Sequence, residues 1–140
     1  MNIQYDFNDF AIKQSPLGLT SRSEANLTDF EIFTAPMESV LNLSNAHHFS
    51  DNNISLVFPR NFNLEPNTQY FTSFGLDEFE TLVKTESDLN GCKILCDIAN
   101  ANNPKLQNLI QKAKEKWPDI ILMAGNVGSL ECFIQLAHLK

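Results

Sequence analysis

The segment from Lys93 to Val127 narrows the possible folds of this chain more than any other part of it. Lys93-Ile94-Leu95-Cys96-Asp97 and Asp119-Ile120-Ile121-Leu122-Met123-Ala124-Gly125-Asn126 are both apolar runs that stop on a polar residue, Asp97 in the first and Asn126 in the second. Between them, Asn103 followed by Pro104 has the form of a helix cap and first turn. Leu106, Leu109, Ile110, Ala113 and Trp117 then recur at helical spacing until Pro118 stops the helix. Strand, helix and strand in this order make a βαβ unit with parallel strands and a right-handed crossover. Strands covered on both faces read as continuous apolar runs, as these two do. Ligands in such folds gather at the carboxyl ends of the strands, where Asp97 and Asn126 stand.

The rest of the chain continues the alternation. Strands are expected over residues 31–35, running into Pro36, over 54–58, ended by Pro59, and over 69–74, followed by Gly75. A short helix over 39–49 places Val40, Leu43 and Ala46 on one side, and a second, capped by Asp77, has Phe79, Leu82 and Val83 as its apolar face. A last helix from Ser129 carries Leu130, Phe133, Ile134 and Ala137 on one face, with Cys132 inside it. Residues 51–53 and Asn90-Gly91 are turn signals, and 61–67 reads as loop. Residues 1–28, with Pro16 and Gly18 as breakers, read as an irregular arm ahead of βα units over 29–140, so one domain is expected over 1–140. The fold class is α/β with a parallel sheet of about five strands.

Charge and cysteine usage remove several function classes. A net charge of −7 argues against broad contact with a nucleic-acid backbone, although a local basic site for a phosphate is compatible with it. No apolar run approaches the roughly 20 residues of a membrane helix, and the opening MNIQYDFNDF is polar and acidic rather than a signal peptide. A cytoplasmic location is therefore expected, and Asn26, Asn42 and Asn53 are read as chance matches to the glycosylation pattern. Cys92 and Cys96 are separated by three residues with no second cysteine pair, so small buried thiols are expected rather than a zinc site. His47 and His48, adjacent on a helix, make a poor metal pair.

Three polar residues stand where chemistry is expected. Asp97, at a strand end, can accept hydrogen bonds from a ribose or a carboxamide, or serve as a cap or loop anchor. Asn126 can orient a ligand, brace Asp97 or simply make a turn. Arg60, after Pro59, can meet a phosphate or remain solvated. No nucleophile elbow, phosphate-cradling Gly-rich loop or metal-binding helix motif is present, and a chain with only five glycines has no dinucleotide fingerprint.

Several short motifs, in order, resemble the N-terminal part of the GMP reductase and IMP dehydrogenase family, and GMP reductase more closely. They are Phe7-Asn8-Asp9-Phe10, Thr20-Ser21-Arg22-Ser23-Glu24, Ala35-Pro36-Met37, Pro59-Arg60-Asn61, Asp97-Ile98-Ala99-Asn100, Trp117-Pro118 and Ala124-Gly125-Asn126-Val127. The chain departs from the family at Ala101, where a glycine is usual, at Pro59, where a histidine is usual, and at Val127-Gly128-Ser129 in place of Val-Val-Thr.

The resemblance implies a partial (β/α)8 barrel made of about its first five strands, whereas a whole barrel takes roughly 250 residues. It implies NADP(H) as cofactor, with Ser21, Arg22, Arg60, Asp97, Ile98 and Ala99 as cofactor contacts and Met37 and Asn126 on the substrate side. It implies a purine nucleotide as substrate. None of Cys92, Cys96 and Cys132 matches the position of the family's catalytic cysteine, so no catalytic residue and no metal are expected in this chain. Two expectations follow. In one, a complementary barrel fragment carrying the cysteine loop, or an oligomer within the family, completes an enzyme that reduces GMP to IMP. In the other, the chain is an inactive truncated member that binds nucleotide or protein.

Overall fold

The computed structural model describes residues 32–139, and the expected arm over 1–28 lies outside them. Six short strands, all paired in parallel, carry the fold. β1 (Ile32–Phe33) pairs with β2 (Ile54–Ser55), and β3 (Val57–Phe58), β4 (Phe71–Phe74), β5 (Lys93–Asp97) and β6 (Ile121–Gly125) form a four-stranded sheet in consecutive order. The protein is therefore α/β with a parallel sheet, as its sequence implies. The apolar run over 54–58 is split at Leu56 because Thr34 intervenes. The buried Thr34 hydroxyl accepts the Val57 N–H at 2.8 Å, while Leu56 O takes the Phe71 N–H at 2.9 Å.

Each face of the sheet has its own cluster. Residues two apart along a strand share a face. Ile94 and Cys96 of β5, with Leu122 and Ala124 of β6 and Phe74 of β4, pack against α2 (Leu76–Val83), α3 (Pro104–Lys116) and α4 (Leu130–Ala137). That cluster holds Phe79, Leu106, Ala113 and Ile120, all essentially without solvent contact. The opposite face carries Val57, Phe71, Leu95 and Met123, with Phe33 edge-on to Phe71 at 5.7 Å between ring centroids.

Consecutive strand order and right-handed crossovers put the crossover helices on one side of the sheet, which is where α2, α3 and α4 lie. Lys105 ties α2 to α3, its ammonium 2.9 Å from Asp77 Oδ1 and 2.7 Å from Glu80 Oε2. Lys116 donates to Val83 O and Thr85 O at the exit of α2, and the Trp117 indole N–H donates to Ser87 O at 3.1 Å. The end of α3 thus closes over the end of α2, and Trp117 is buried.

Several expected boundaries move, each for a local reason. Asn103 caps α3 as expected, accepting from the N–H groups of Lys105 and Leu106. Asp77 does not cap α2; Gly75 is the cap residue, and Glu78 reaches back to its N–H at 2.6 Å. The helix expected over 39–49 contracts to α1 (Ala46–Ser50). Asparagine side chains compete for the backbone there: Asn42 Oδ1 accepts from Ser44 and Asn45, and Asn45 Oδ1 accepts from Asn42. Leu41 is buried instead of the expected Leu43, which is 67% exposed. The strand expected over 69–74 begins only at Phe71, because Asn67 Oδ1 takes the N–H groups of Gln69 and Tyr70. Among the described residues, no helix is long and apolar enough to cross a membrane.

α4 departs most from a buried crossover helix. It starts after Ser129 as expected, and the Ser129 hydroxyl caps it by accepting the Cys132 N–H. Cys132 is its buried residue, whereas Leu130 is 72% and Phe133 59% exposed, with Ile134 beside them. Neighbouring β6 pairs only with β5, so its outer edge is unpaired among the described residues.

Candidate functional site

Pro59 ends β3 and places Arg60 at the start of a single 3-10 turn (Arg60–Phe62). Pro lacks an N–H and cannot extend the ladder, so the chain turns away at the sheet's carboxyl end. Asp97 is the last residue of β5, on the face opposite the helices, two residues beyond Leu95. β4 lies between β3 and β5. Arg60 reaches across it: its Nε lies 3.8 Å from Asp97 Oδ2, and its Nη1 lies 2.6 Å from where a Cβ on Gly75 would stand. A Cβ on Gly75, just beyond the end of β4, would displace the guanidinium that lies over this backbone.

An open cleft of about 540 Å³ surrounds this pair and is lined by Pro36, Met37, Glu38, Asn61, Arg60 and Asp97. The Arg60 side chain is 51% exposed and that of Asp97 33%. At 3.8 Å the pair is a loose contact in a solvated setting, and such pairs hold less than about 1 kcal/mol. Both groups therefore remain available to a ligand. The guanidinium offers a fork of donors to a phosphate, and the carboxylate accepts from hydroxyl or amide donors.

The structure brings some expected site residues together and separates others. Arg60, Asp97 and Met37 line one cleft. Ile98 instead packs against the helix-side core, and Ala99 and Asn126 line a different cavity of about 460 Å³ with Asn100, Asn102 and Ser129. Ser21 and Arg22 lie outside the described residues.

Asn126 braces the Asp97 strand end with its backbone. Its N–H donates to Ile98 O at 2.6 Å and its carbonyl accepts from Ala101 at 2.9 Å, while Ile98 donates to Gly125 O at 2.8 Å. Ala101 is buried and its backbone is not left-handed, so alanine suits this loop.

Gly75 and Ser73 had no motif to flag them. Ser73 pairs with Leu95 and so shares the face of Asp97, and its buried hydroxyl has no hydrogen-bond partner. A single serine inside a strand looks like any other strand residue; only strand register puts it on this face.

None of the described cysteines has the setting of a nucleophile. Cys92, Cys96 and Cys132 are free and buried. Burial pushes the Cys96 thiol up to about 12. Burial, with Asp88 nearby, also raises that of Cys92. Thiolate attack needs the opposite shift.

No protein-family model matches the chain, and no curated protein matches it. What the geometry itself defines is an α/β protein with a cation and a carboxylate paired at the carboxyl end of a parallel sheet.

Proposed function

We propose that this chain is the N-terminal portion of a GMP reductase-like oxidoreductase, active with a further polypeptide that supplies the nucleophilic thiolate. The observation carrying this reading is the meeting of Arg60, Asp97 and Met37 in one cleft, since these residues come from three separate motifs of the resemblance. The fold supports it. Parallel strands in consecutive order, with helices packed on one face and a cluster of Val57, Phe71 and Leu95 on the other, are compatible with an arc of a (β/α)8 barrel. The chain is then a partial barrel of about five strands, counting β2 and β3 as one.

The residues in the cleft fit a nicotinamide dinucleotide, with an anion partner in Arg60 and an acceptor for ribose or carboxamide in Asp97. When bound, NADPH supplies the hydride that converts GMP to IMP with release of ammonia. Asp97 holds the ribose and carboxamide donors, and its place at the strand end sets their position relative to the sheet. Arg60 neutralises the phosphate charge. Met37 provides an apolar wall on the substrate side. The described cysteines, buried with Cys96 raised to about 12, leave the thiolate to a complementary fragment. The exposed Leu130 and Phe133 on α4 and the free edge of β6 are surfaces such a fragment would cover.

A second reading is a catalytically inactive family member that binds a nucleotide or a partner protein, which the same buried cysteines favour. The two separate in one experiment: light scattering on the purified chain with and without NADPH and GMP, alongside an assay of NADPH oxidation. The first reading expects NADPH binding, no turnover by the chain alone, and turnover once a polypeptide with the cysteine loop is added. Binding without turnover after that addition favours the second reading. Turnover by the chain alone would sink both.

A further inference from the structure

A second cavity opens between the loop at residues 63–66 and α2, with a volume of about 450 Å³. Leu64, Pro66, Phe74 and Leu82 give it an apolar wall, and Arg60, Glu65 and Glu78 border it. Phe74 and Leu82 pack against the helix-side core and are themselves only partly buried. The Thr72 hydroxyl donates to Glu65 O, which ties the loop to β4. The volume falls within the roughly 300–1,000 Å³ range of small-molecule sites.

Two of the charged groups flank one point. Arg60 Nη1 lies 2.6 Å, and Glu78 Oε2 3.2 Å, from where a Cβ on Gly75 would stand, so a cation and a carboxylate are neighbours there. Arg60 makes its ion pair with Asp97, loosely at 3.8 Å. Glu78 Oε2 accepts the Gly75 N–H at 2.6 Å. Each group keeps capacity for a ligand: the guanidinium its remaining N–H donors, the carboxylate its other oxygen.

The lining selects the chemistry of its occupant. Two carboxylates against one cation disfavour a phosphate ester. A fatty acid would set its chain beside Glu65 and Glu78 with nothing to pair them, and a simple amine would leave Arg60 unused. A molecule with a carboxylate and an ammonium on one carbon, and an apolar side chain, uses the cation, the carboxylates and the wall together.

We propose that the cavity between residues 63–66 and α2 binds a free α-amino acid with an apolar side chain. Its carboxylate lies on Arg60, its ammonium on Glu78 and its side chain against Phe74 and Leu82. Glu65, on the facing loop, adds negative charge on the side of the ammonium.

The test is calorimetric titration of the full chain with L-leucine and L-phenylalanine, and with each of them acetylated on the amine or amidated on the carboxylate. Wild type is compared with Glu78→Gln and Thr81→Trp, with circular dichroism to check folding. Glutamine can still accept the Gly75 N–H, so the first variant keeps the start of α2. Thr81 lines the cavity from α2, and tryptophan there fills it. The expected result is binding of the free amino acids, weakened about tenfold or more in each blocked form and in each folded variant.

Binding that survives the blocking of either charge makes the cavity a general apolar site and overturns the proposal. Binding unchanged in Glu78→Gln or in folded Thr81→Trp puts the ligand elsewhere and overturns it too, as does the absence of binding by both amino acids. Neither NADPH nor GMP enters the experiment, so its outcome does not bear on the cofactor reading.

Discussion

Arg60 crosses the carboxyl end of β4 to bring its Nε within 3.8 Å of Asp97 Oδ2, linking the ends of β3 and β5 over the backbone of Gly75. Residues 37 positions apart in the chain thus share one cleft because one strand separates theirs in the sheet.

Gly75→Ala tests that crossing. Its φ of −74° is open to any residue, so the backbone is not strained by alanine. The new Cβ would stand 2.6 Å from Arg60 Nη1 and push the guanidinium aside. On the proposed cofactor reading, NADPH affinity should fall as far as in Arg60→Ala, with little change in Tm. Calorimetry on the two variants checks this, and wild-type affinity in Gly75→Ala would show that the crossing does not matter to binding.

Asp97→Asn keeps the shape of the side chain and removes its charge. The pair it breaks is solvated and loose, so folding stability should change by less than about 1 kcal/mol. On the proposed cofactor reading, NADPH binding should weaken by about tenfold, because a charged acceptor holds ribose and amide donors more strongly than a neutral one. Equal affinity in the two proteins would remove Asp97 from the site.

The link between α2 and α3 gives a pH dependence. Hydrogen bonds from Lys105 and then Lys84 hold the Glu80 carboxyl down at about 2, from an ordinary 4.5. A carboxyl lowered by folding stabilises the protein above its unfolded value, and that stabilisation is lost as the pH falls from about 4.5 towards 2. Lys105 is raised by its hydrogen bonds to Glu80 and Asp77, so its contribution is complete below 10.5 and is lost as the pH climbs through its folded value. The Tm difference between wild type and Glu80→Gln should be positive at neutral pH and close up below 4.5. A difference that stays constant down to pH 2 would contradict this assignment.

Among the described residues Phe79 is the largest side chain with no solvent contact, and it joins α2 to the face of the sheet that carries the helices. Phe79→Ala removes its packing and leaves a cavity, at a cost of about 3–5 kcal/mol. Chemical denaturation should show a lower midpoint with little change in slope. A loss below about 1 kcal/mol would mean that this core relaxes around the missing ring.

The parts of the fold legible in the sequence are those whose signals are local. Asn103-Pro104 states where α3 begins, and the apolar run from Lys93 to Asp97 states a strand buried on both faces; the structure has both. The contraction of the helix over 39–49 was hidden. Asn42 and Asn45 favour capping turns over a continuing helix only when their side chains find the backbone groups nearby. The break at Leu56 was hidden for a different reason, since it depends on Thr34, 23 residues from Val57. In the candidate site, Asp97 and Arg60 were visible as polar residues at strand ends. Ser73 became visible only through strand register, and Gly75 only through the guanidinium lying over it.

By itself, the sequence determined the class of structure and the strand ends at which Arg60 and Asp97 stand, because periodicity, caps and strand-ending prolines act over a few residues. The tertiary structure decided which strand ends are neighbours. It also decided that Arg60 and Asp97 share a cleft while Ile98 turns to the core, and that α4 buries Cys132 and leaves Leu130 and Phe133 in solvent. These outcomes depend on parallel pairing and the packing of helices on one face, which no short stretch of residues specifies.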